Sequence, residues 1–451
     1  MRFRTLSFAL LGALFVVPAA SAQQVISFDE AVVIALDQNS TLRRARNNVE
    51  MQETSLTSAK AARLPTLNLG SSAGRNWGLQ FDLTTGSLEN QSSDRFSLSA
   101  SSGITLFNGF AIGAGIEQAK NNLAATEAAY GRSQQTVVFT VISNYLQVIL
   151  DQEQIRIREE DLEAQVRQLE RISEFVRVGQ RPISDQYTQE ANTANAEAIL
   201  LTAQRSLQLS ESRLISTLQL DPLEAFVFSA PSADDISLAA RTYDPNDLLV
   251  AAYEARGDLM AQEYAIQAAE QGITIAKSSK LPRVSANAGF GSSYSSFGRD
   301  PLTGEKSSFG SQLNDNRSEN IGISLSVPIF NRYQTRTSVE RAQVQLNNAN
   351  LDMETLQQSI ALEVRQSYLD YQTAVKRLEV TEKQLRASRQ ALEVEQARYD
   401  VASSTLVELT QARANFVSSE SGRVQAIYQF HLQHRLIEYY LGILNPTESL
   451  F

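Results

Sequence analysis

Hydrophobic positions recur along this chain with two different periods. Val141, Val148, Ile155, Leu162, Leu169 and Val176 lie seven residues apart, and so do Val364, Tyr371, Leu378, Leu385, Leu392 and Tyr399. An apolar repeat of seven, sustained this long, predicts a coiled-coil seam on a long helix. Gly109 to Arg177 reads as one such helix, which at ~1.5 Å per residue would reach about 100 Å. Two shorter helical stretches, Phe28–Ala61 and Ile183–Gln219, together match its length. Stacked end to end, they would cover the long helix over its whole extent.

Elsewhere the period is two. Phe96, Leu98, Ala100, Ile104 and Leu106 alternate with Ser97, Ser99, Ser101 and Thr105, and Ile321, Ile323, Leu325 and Val327 alternate with Asn320, Gly322, Ser324 and Ser326. Leu67 and Leu69, and then Val284, Ala286, Ala288 and Phe290, extend the pattern to four strands. One face is apolar and the other small and polar, as in a strand with lipid outside and water inside. A soluble half-buried sheet carries the same alternation. If the strands span a bilayer, four cannot close a barrel, since open edges leave backbone groups unsatisfied in lipid, so the chain must oligomerise. The stretches 75–94 and 291–318, rich in Ser, Gly and Asn, read as long external loops; Trp77, Phe81, Tyr294 and Phe297 either form an interfacial girdle or pack inside them.

The same plan occurs twice. Leu64-Pro65 matches Leu281-Pro282 at an offset of 217, and Leu106-Phe107-Asn108 matches Ile329-Phe330-Asn331 at 223, an offset that then holds from Glu117/Glu340 through Leu218/Leu441. The six extra residues fall between the paired strands. The expected organisation is a signal segment at 1–22, a first repeat at 23–220 (helix, two strands, long helix, return helix), a connector at 221–244 containing Pro222 and Pro231, and a second repeat at 245–451 with a short C-terminal segment.

Composition narrows the function. Arg2 and Arg4, the apolar stretch 8–17 and Ala20-Ser21-Ala22 form a cleavable export signal. The chain carries a net charge of −10, and losing the two arginines of that segment makes it more acidic, which disfavours nucleic acid as a partner. With no cysteine there is no disulfide, thiolate metal site or lipid-acceptor residue. His431 and His434 lack an evident third metal ligand, and Gly109, Gly113 and Gly115 mark a bend where strand gives way to helix. No hydrolase, zincin or phosphate-loop motif is present, and no cofactor is implied.

The export signal, the doubled strand-strand-long-helix unit and the tip turn Arg177-Val178-Gly179-Gln180-Arg181-Pro182-Ile183-Ser184-Asp185, with its counterpart Arg398–Glu408, together resemble the TolC family of outer-membrane efflux and secretion channels. The resemblance spans essentially the whole mature chain. It implies an α+β membrane protein: a homotrimer whose four strands per protomer form a twelve-stranded β-barrel in outer-membrane lipid, continuous with a long antiparallel α-helical coiled-coil barrel in the periplasm. It further implies an exit duct without chemistry of its own, opened at its periplasmic tip by a periplasmic adaptor and an inner-membrane transporter.

At the tip the resemblance implies a constriction at Asp185, Glu408 and Gln411, a latch at Arg177, Tyr399 and Ser404, and adaptor contacts at Val178, Gly179, Gln180, Val401, Ala402 and Ser403. Gln411 stands where a second pore acid is common and Ser404 where a latching arginine is often found. Independently of family, acids repeated around a narrow pore favour cations. The competing reading is a periplasmic coiled-coil adaptor without a pore; it shares the heptads and the export signal but leaves the four alternating strands without a purpose.

Overall fold

The computed structural model describes residues 24–82, 86–229, 240–300 and 302–444; the expected signal segment at 1–22 and part of the expected connector lie outside them. The element order is β1 (Gln24–Ile26), α1 (Phe28–Gln38), α2 (Ser40–Ala61), β2 (Thr66–Asp82), β3 (Ser87–Asn108), α3 (Ala111–Arg177), α4 (Ile183–Leu218), β4 (Phe226–Phe228), α5 (Pro245–Ala255), α6 (Gly257–Ser278), β5 (Arg283–Ser295), α7 (Phe309–Asp315), β6 (Ser318–Ser326), α8 (Gln334–Asp400) and α9 (Leu406–Leu441). The repeat is literal. Helices α5 and α6 reproduce the bounds of α1 and α2 at an offset of 217, and α8 and α9 reproduce those of α3 and α4 at 223.

Both long helices have 67 residues, close to 100 Å at ~1.5 Å per residue. Helices α2, α4 and α6 pack along α3, and α9 along α8, with α6 also touching α8. The single helix expected over Phe28–Ala61 is two. The chain breaks at Asn39, whose side-chain oxygen caps the amides of Thr41 (3.0 Å) and Leu42 (3.3 Å) while its amide donates to the Thr217 carbonyl (3.0 Å). Its counterpart Arg256 breaks α5 from α6, with an extended backbone and no side-chain cap on α6.

Strands β2, β3, β5 and β6 form one antiparallel sheet in that order, with β2 and β6 at the edges. The register separates the two faces. Leu67, Leu69, Phe96, Leu98, Ala100, Ala288, Phe290, Ile321 and Ile323 share one; Asn68, Ser72, Ser97, Ser99, Asn287, Gly289, Asn320, Gly322 and Ser324 share the other. On the polar face serine hydroxyls pair across strands, Ser72 with Ser97 and Ser285 with Ser324, both at 2.8 Å. A side chain at Gly289 would meet Asn320 Oδ1 at 2.5 Å, so the small residues leave room for the asparagines opposite. The expected alternation slips once, at a bulge between Thr105 and Phe107 that takes Leu106 out of register.

The long loop expected at 75–94 is instead a continuation of the sheet: β2 and β3 stay paired residue by residue to Asp82 and Ser87. The second connection, after β5, is a loop that carries α7. Tyr294 packs there against Phe309 (5.1 Å between ring centres), whereas Trp77 and Phe81 stand exposed on the apolar face.

Each strand turns into its long helix through two consecutive left-handed residues, Gly109-Phe110 (φ 65°, 71°) and Arg332-Tyr333 (φ 54°, 61°). Gly109 also sits against backbone: a Cβ there would approach the Ser278 carbonyl to 2.6 Å.

The largest core lies at mid-height, where β1 and β4 pair in parallel beside α3. Tyr145 is fully buried there and donates its hydroxyl to the Ser229 carbonyl (2.5 Å), and burial pushes its pKa up to about 12. Towards the tip the seam positions Ile155, Leu162, Leu169 and Leu385 are only half-buried in one chain.

Candidate functional site

The residues expected to gate lie where the two helical hairpins turn. The first turn ends α3 with Gly179 left-handed (φ 75°); Gly179 N–H bonds the Val176 carbonyl and Gln180 N–H that of Phe175 (2.8 Å). This is the closure that satisfies the last carbonyls of a helix. The second turn repeats it with Ala402 (φ 59°) in place of glycine and Ser403 N–H on the Arg398 carbonyl (2.8 Å). Val178, Gly179, Gln180, Val401, Ala402 and Ser403 are all exposed, forming the blunt end of the rod.

Glu408 is drawn into the start of its own helix. With Thr405 it forms a capping box: its carboxylate accepts from the Thr405 amide (2.8 Å) and from the hydroxyls of Thr405 (3.1 Å) and Ser404 (2.8 Å). The Thr405 amide first, then the two hydroxyls, hold it below the usual carboxylate range. Ser404, buried, also touches the Glu395 carboxylate. Gln411 lies one turn on, bonds Asn415 (3.0 Å), and lines with Glu408 a groove of about 810 Å³ between α8 and α9.

Asp185 holds the corresponding place in the first turn, but Pro182 there offers no capping hydroxyl. Half-buried, Asp185 makes no side-chain hydrogen bond or ion pair among the described residues; burial first, and then the nearby Asp185 charge, oppose ionisation of Tyr399.

Tyr399 joins the two hairpins. It is 1% exposed, packed with Ile172, Leu406 and Leu409, and its hydroxyl has no hydrogen-bond partner among the described residues. The Arg181 guanidinium lies over its ring at 4.4 Å and donates to its carbonyl (3.1 Å). Arg171 on α3 reaches Asp400 at the end of α8 (3.0 Å). Neither arginine was singled out by sequence reasoning. Arg177 was, and the structure places it on an exposed pair with Glu174 of its own helix.

No helix among the described residues is long and apolar enough to cross a membrane. Among the described residues no cluster of three or more metal-ligating side chains forms. His434 approaches Glu438 (3.9 Å), and burial lowers the pKa of His431 to about 4.

Comparison with known proteins gives the geometry its context. The chain is 22% identical over 336 residues to the outer membrane protein TolC of Vibrio cholerae, covering 74% of each, and 21% identical to the outer membrane efflux protein BepC of Brucella suis, covering 92% of this chain and 84% of that one. Its fold superposes on the crystal structure of the Campylobacter jejuni CmeC outer membrane channel with a TM-score of 0.79 at 15% identity, covering 94% of this chain and 87% of the other. The family model described as outer membrane efflux protein matches residues 31–218 and 248–442, which takes in both repeats from α1 to α9, and the chain therefore belongs to the outer membrane efflux protein family.

Proposed function

We propose that the chain is one protomer of a homotrimeric exit duct, whose sheets join edge to edge into a twelve-stranded outer-membrane barrel and whose helices form a tunnel across the periplasm. Members of the family are outer-membrane efflux channels, not enzymes. The observation that carries the trimeric reading is the four-stranded sheet: open at β2 and β6, exposed on an apolar face at Leu67, Leu69, Ile321 and Ile323, and lined on the other face by Ser, Gly and Asn. Open edges are satisfied when the β6 of one copy pairs with the β2 of the next, and only closure permits them in lipid. Exposed apolar side chains on α8 at heptad spacing, Val344 with Leu351 and Val380 with Val394, support helix contacts between copies in the same ring.

The two-repeat division carries over to this reading, with the β1–β4 region and the connector as an outer girdle at mid-height. Asp185, Glu408 and Gln411 would narrow the tunnel, Tyr399 and Ser404 would hold the second hairpin closed, and the exposed turns at 178–180 and 401–403 would meet a periplasmic adaptor linked to an inner-membrane transporter. Crosslinking from Gln180 and Ser403 that captured no such partner during active export would count against tip docking.

Planar-bilayer conductance, with oligomeric mass measured in the same detergent, tests the whole reading. Trimers forming small pores are expected; monomers without pore activity would overturn it. Three copies of Glu408 at the constriction should favour cations, so Glu408→Ala is expected to lower cation selectivity, and unchanged reversal potentials would remove Glu408 from the ring.

A further inference from the structure

The sheet does not end where its apolar band ends. On β3, Phe107 and Phe96 are eleven residues apart, which at ~3.3 Å per residue and a strand tilt of ~40° is a height of about 28 Å, the thickness of a barrel's lipid-facing band. Aromatic pairs mark both limits: Phe107 with Phe110 and Phe330 with Tyr333 below, Phe96 and Tyr294 against Phe309 above. The exposed ion pair of Arg75 with Asp94 follows on the same face, where headgroups begin. Beyond it the β2–β3 ribbon continues, and its apolar face still carries Trp77, Leu79, Phe81 and Leu88, exposed by 77%, 70%, 57% and 66%.

Nothing among the described residues covers them. Helix α7 lays Phe309 over Phe96 of β3 and Tyr294 of β5, lower down than the ribbon's exposed residues. A neighbour's outer strand does not reach them: β6 has nine residues against seventeen in β2, so a neighbour's β6 started level with Thr66 ends near Gly74. Phospholipid is too thin. Phe81 lies six residues above Arg75, about 15 Å at the same rise and tilt, whereas a phospholipid interface adds only about 5–8 Å on each side.

Resting on the outer-membrane barrel reading above, we propose that the raised β2–β3 ribbon docks against the saccharide head of the outer-leaflet glycolipid. A sugar head thick enough to reach Phe81 offers the C–H faces of its rings to Trp77 and Phe81, and aliphatic edges to Leu79 and Leu88, continuing the lipid contact outward past the ion pair. The opposite face of the ribbon carries Asn76, Gly78, Gln91 and Ser93, and the chain itself covers it at Ser93, which is fully buried, and in part at Gln91.

Trp77 is the only tryptophan in the chain, so its fluorescence reports this contact in the unaltered protein. The trimer is reconstituted in detergent, in bilayers of phospholipid alone, and in bilayers whose outer leaflet contains lipopolysaccharide. Emission wavelength and acrylamide quenching are then read in each. Covering a ring that is 77% exposed should shift emission to the blue and reduce quenching about threefold, in the lipopolysaccharide bilayers only. Equal and strong quenching in all three would show a ribbon free in water, equal and weak quenching a ribbon covered by protein, and protection by phospholipid alone a ribbon immersed in the bilayer; each overturns the proposal. Conductance in the same lipid mixtures separates the levels of failure. Pores with an unprotected Trp77 remove the glycolipid contact, and the absence of pores removes the barrel reading beneath it.

Discussion

The contact between Arg181 and Tyr399 is expected to set how easily the second hairpin leaves the first, and therefore how easily the tip opens. Arg181 is half-buried and makes two interactions with Tyr399: its guanidinium stacks on the ring at 4.4 Å and donates to the carbonyl at 3.1 Å. A desolvated cation–π contact is worth about 1–2 kcal/mol and a charge-assisted hydrogen bond about 1.5–3 kcal/mol, and the two share one side chain. Arg181→Ala should therefore weaken the tie by about 2 kcal/mol per protomer, roughly a thirtyfold change in the opening equilibrium of each hairpin. Arg171→Ala removes a pair whose members are 46% and 44% exposed, worth only about 0–1 kcal/mol. Tyr399→Phe should behave as wild type, because the hydroxyl it deletes is buried without a partner among the described residues. Tyr399→Ala empties the small tip core around Ile172, Leu406 and Leu409, at about 3–5 kcal/mol. Single-channel recording in planar bilayers measures the fraction of time spent at higher conductance, expected in the order Tyr399→Ala, Arg181→Ala, Arg171→Ala, with Tyr399→Phe at the wild-type level. Two results would refute the reasoning. If Tyr399→Phe opened the channel as far as Tyr399→Ala, the hydroxyl would be held by a neighbouring chain. If Arg171→Ala matched Arg181→Ala, surface charge would govern the latch instead of the buried stack.

Ala402 is left-handed where its repeat partner is glycine, so Ala402→Gly should raise stability by about 1 kcal/mol and Gly179→Ala lower it by a similar amount, read from thermal unfolding in detergent. Arg256 is 4% exposed at its side chain, bidentate on Asp258 (3.0 and 2.6 Å) and bonded to Glu363 (2.7 Å), and Arg256→Ala strands Glu363 and leaves Asp258 only the longer pair with Arg132 (4.0 Å), at a cost of about 3 kcal/mol. A triple Arg256→Met, Asp258→Asn, Glu363→Gln variant should recover part of that loss in the same melt. His431 titrates near 4 in the folded chain, below its unfolded value of about 6.5, so the unfolded state binds the extra proton. Its stabilising effect is complete above pH 6.5 and is lost as pH falls through 4, by about 2 kcal/mol after allowance for partial exposure; a His431→Gln variant should lose less stability between pH 7.5 and pH 4 in urea titrations.

How much of this was legible in the sequence depended on how many residues vote for each feature. The seven-residue seam is written by a dozen positions and the two offsets by whole helices, so the long rods and the doubled plan survive any single deviation. The β2–β3 ribbon read as a loop because a strand facing water on one side spends half its residues on Ser, Gly and Asn, which are also loop residues; Trp77, Leu79 and Phe81, alternating with Asn76 and Gly78, were the signal that it continued. The break at Asn39 carries neither proline nor glycine. It is visible only as a capping side chain, and its counterpart Arg256 breaks the second copy with a different residue. The contact proposed as a latch was least legible. Arg181 and Tyr399 are 218 residues apart and belong to different hairpins, and a heptad pattern specifies the seam within a hairpin but not which residue of one hairpin meets the other. Arg177, the arginine nearest the turn's start, had Glu174 three residues before it on the same helix, and a local partner held at no loop-closure cost wins over a distant one. The tip is thus built from pairings that periodicity cannot express, and substitution there can retune opening while the rods and the sheet, specified many times over, stay as they are.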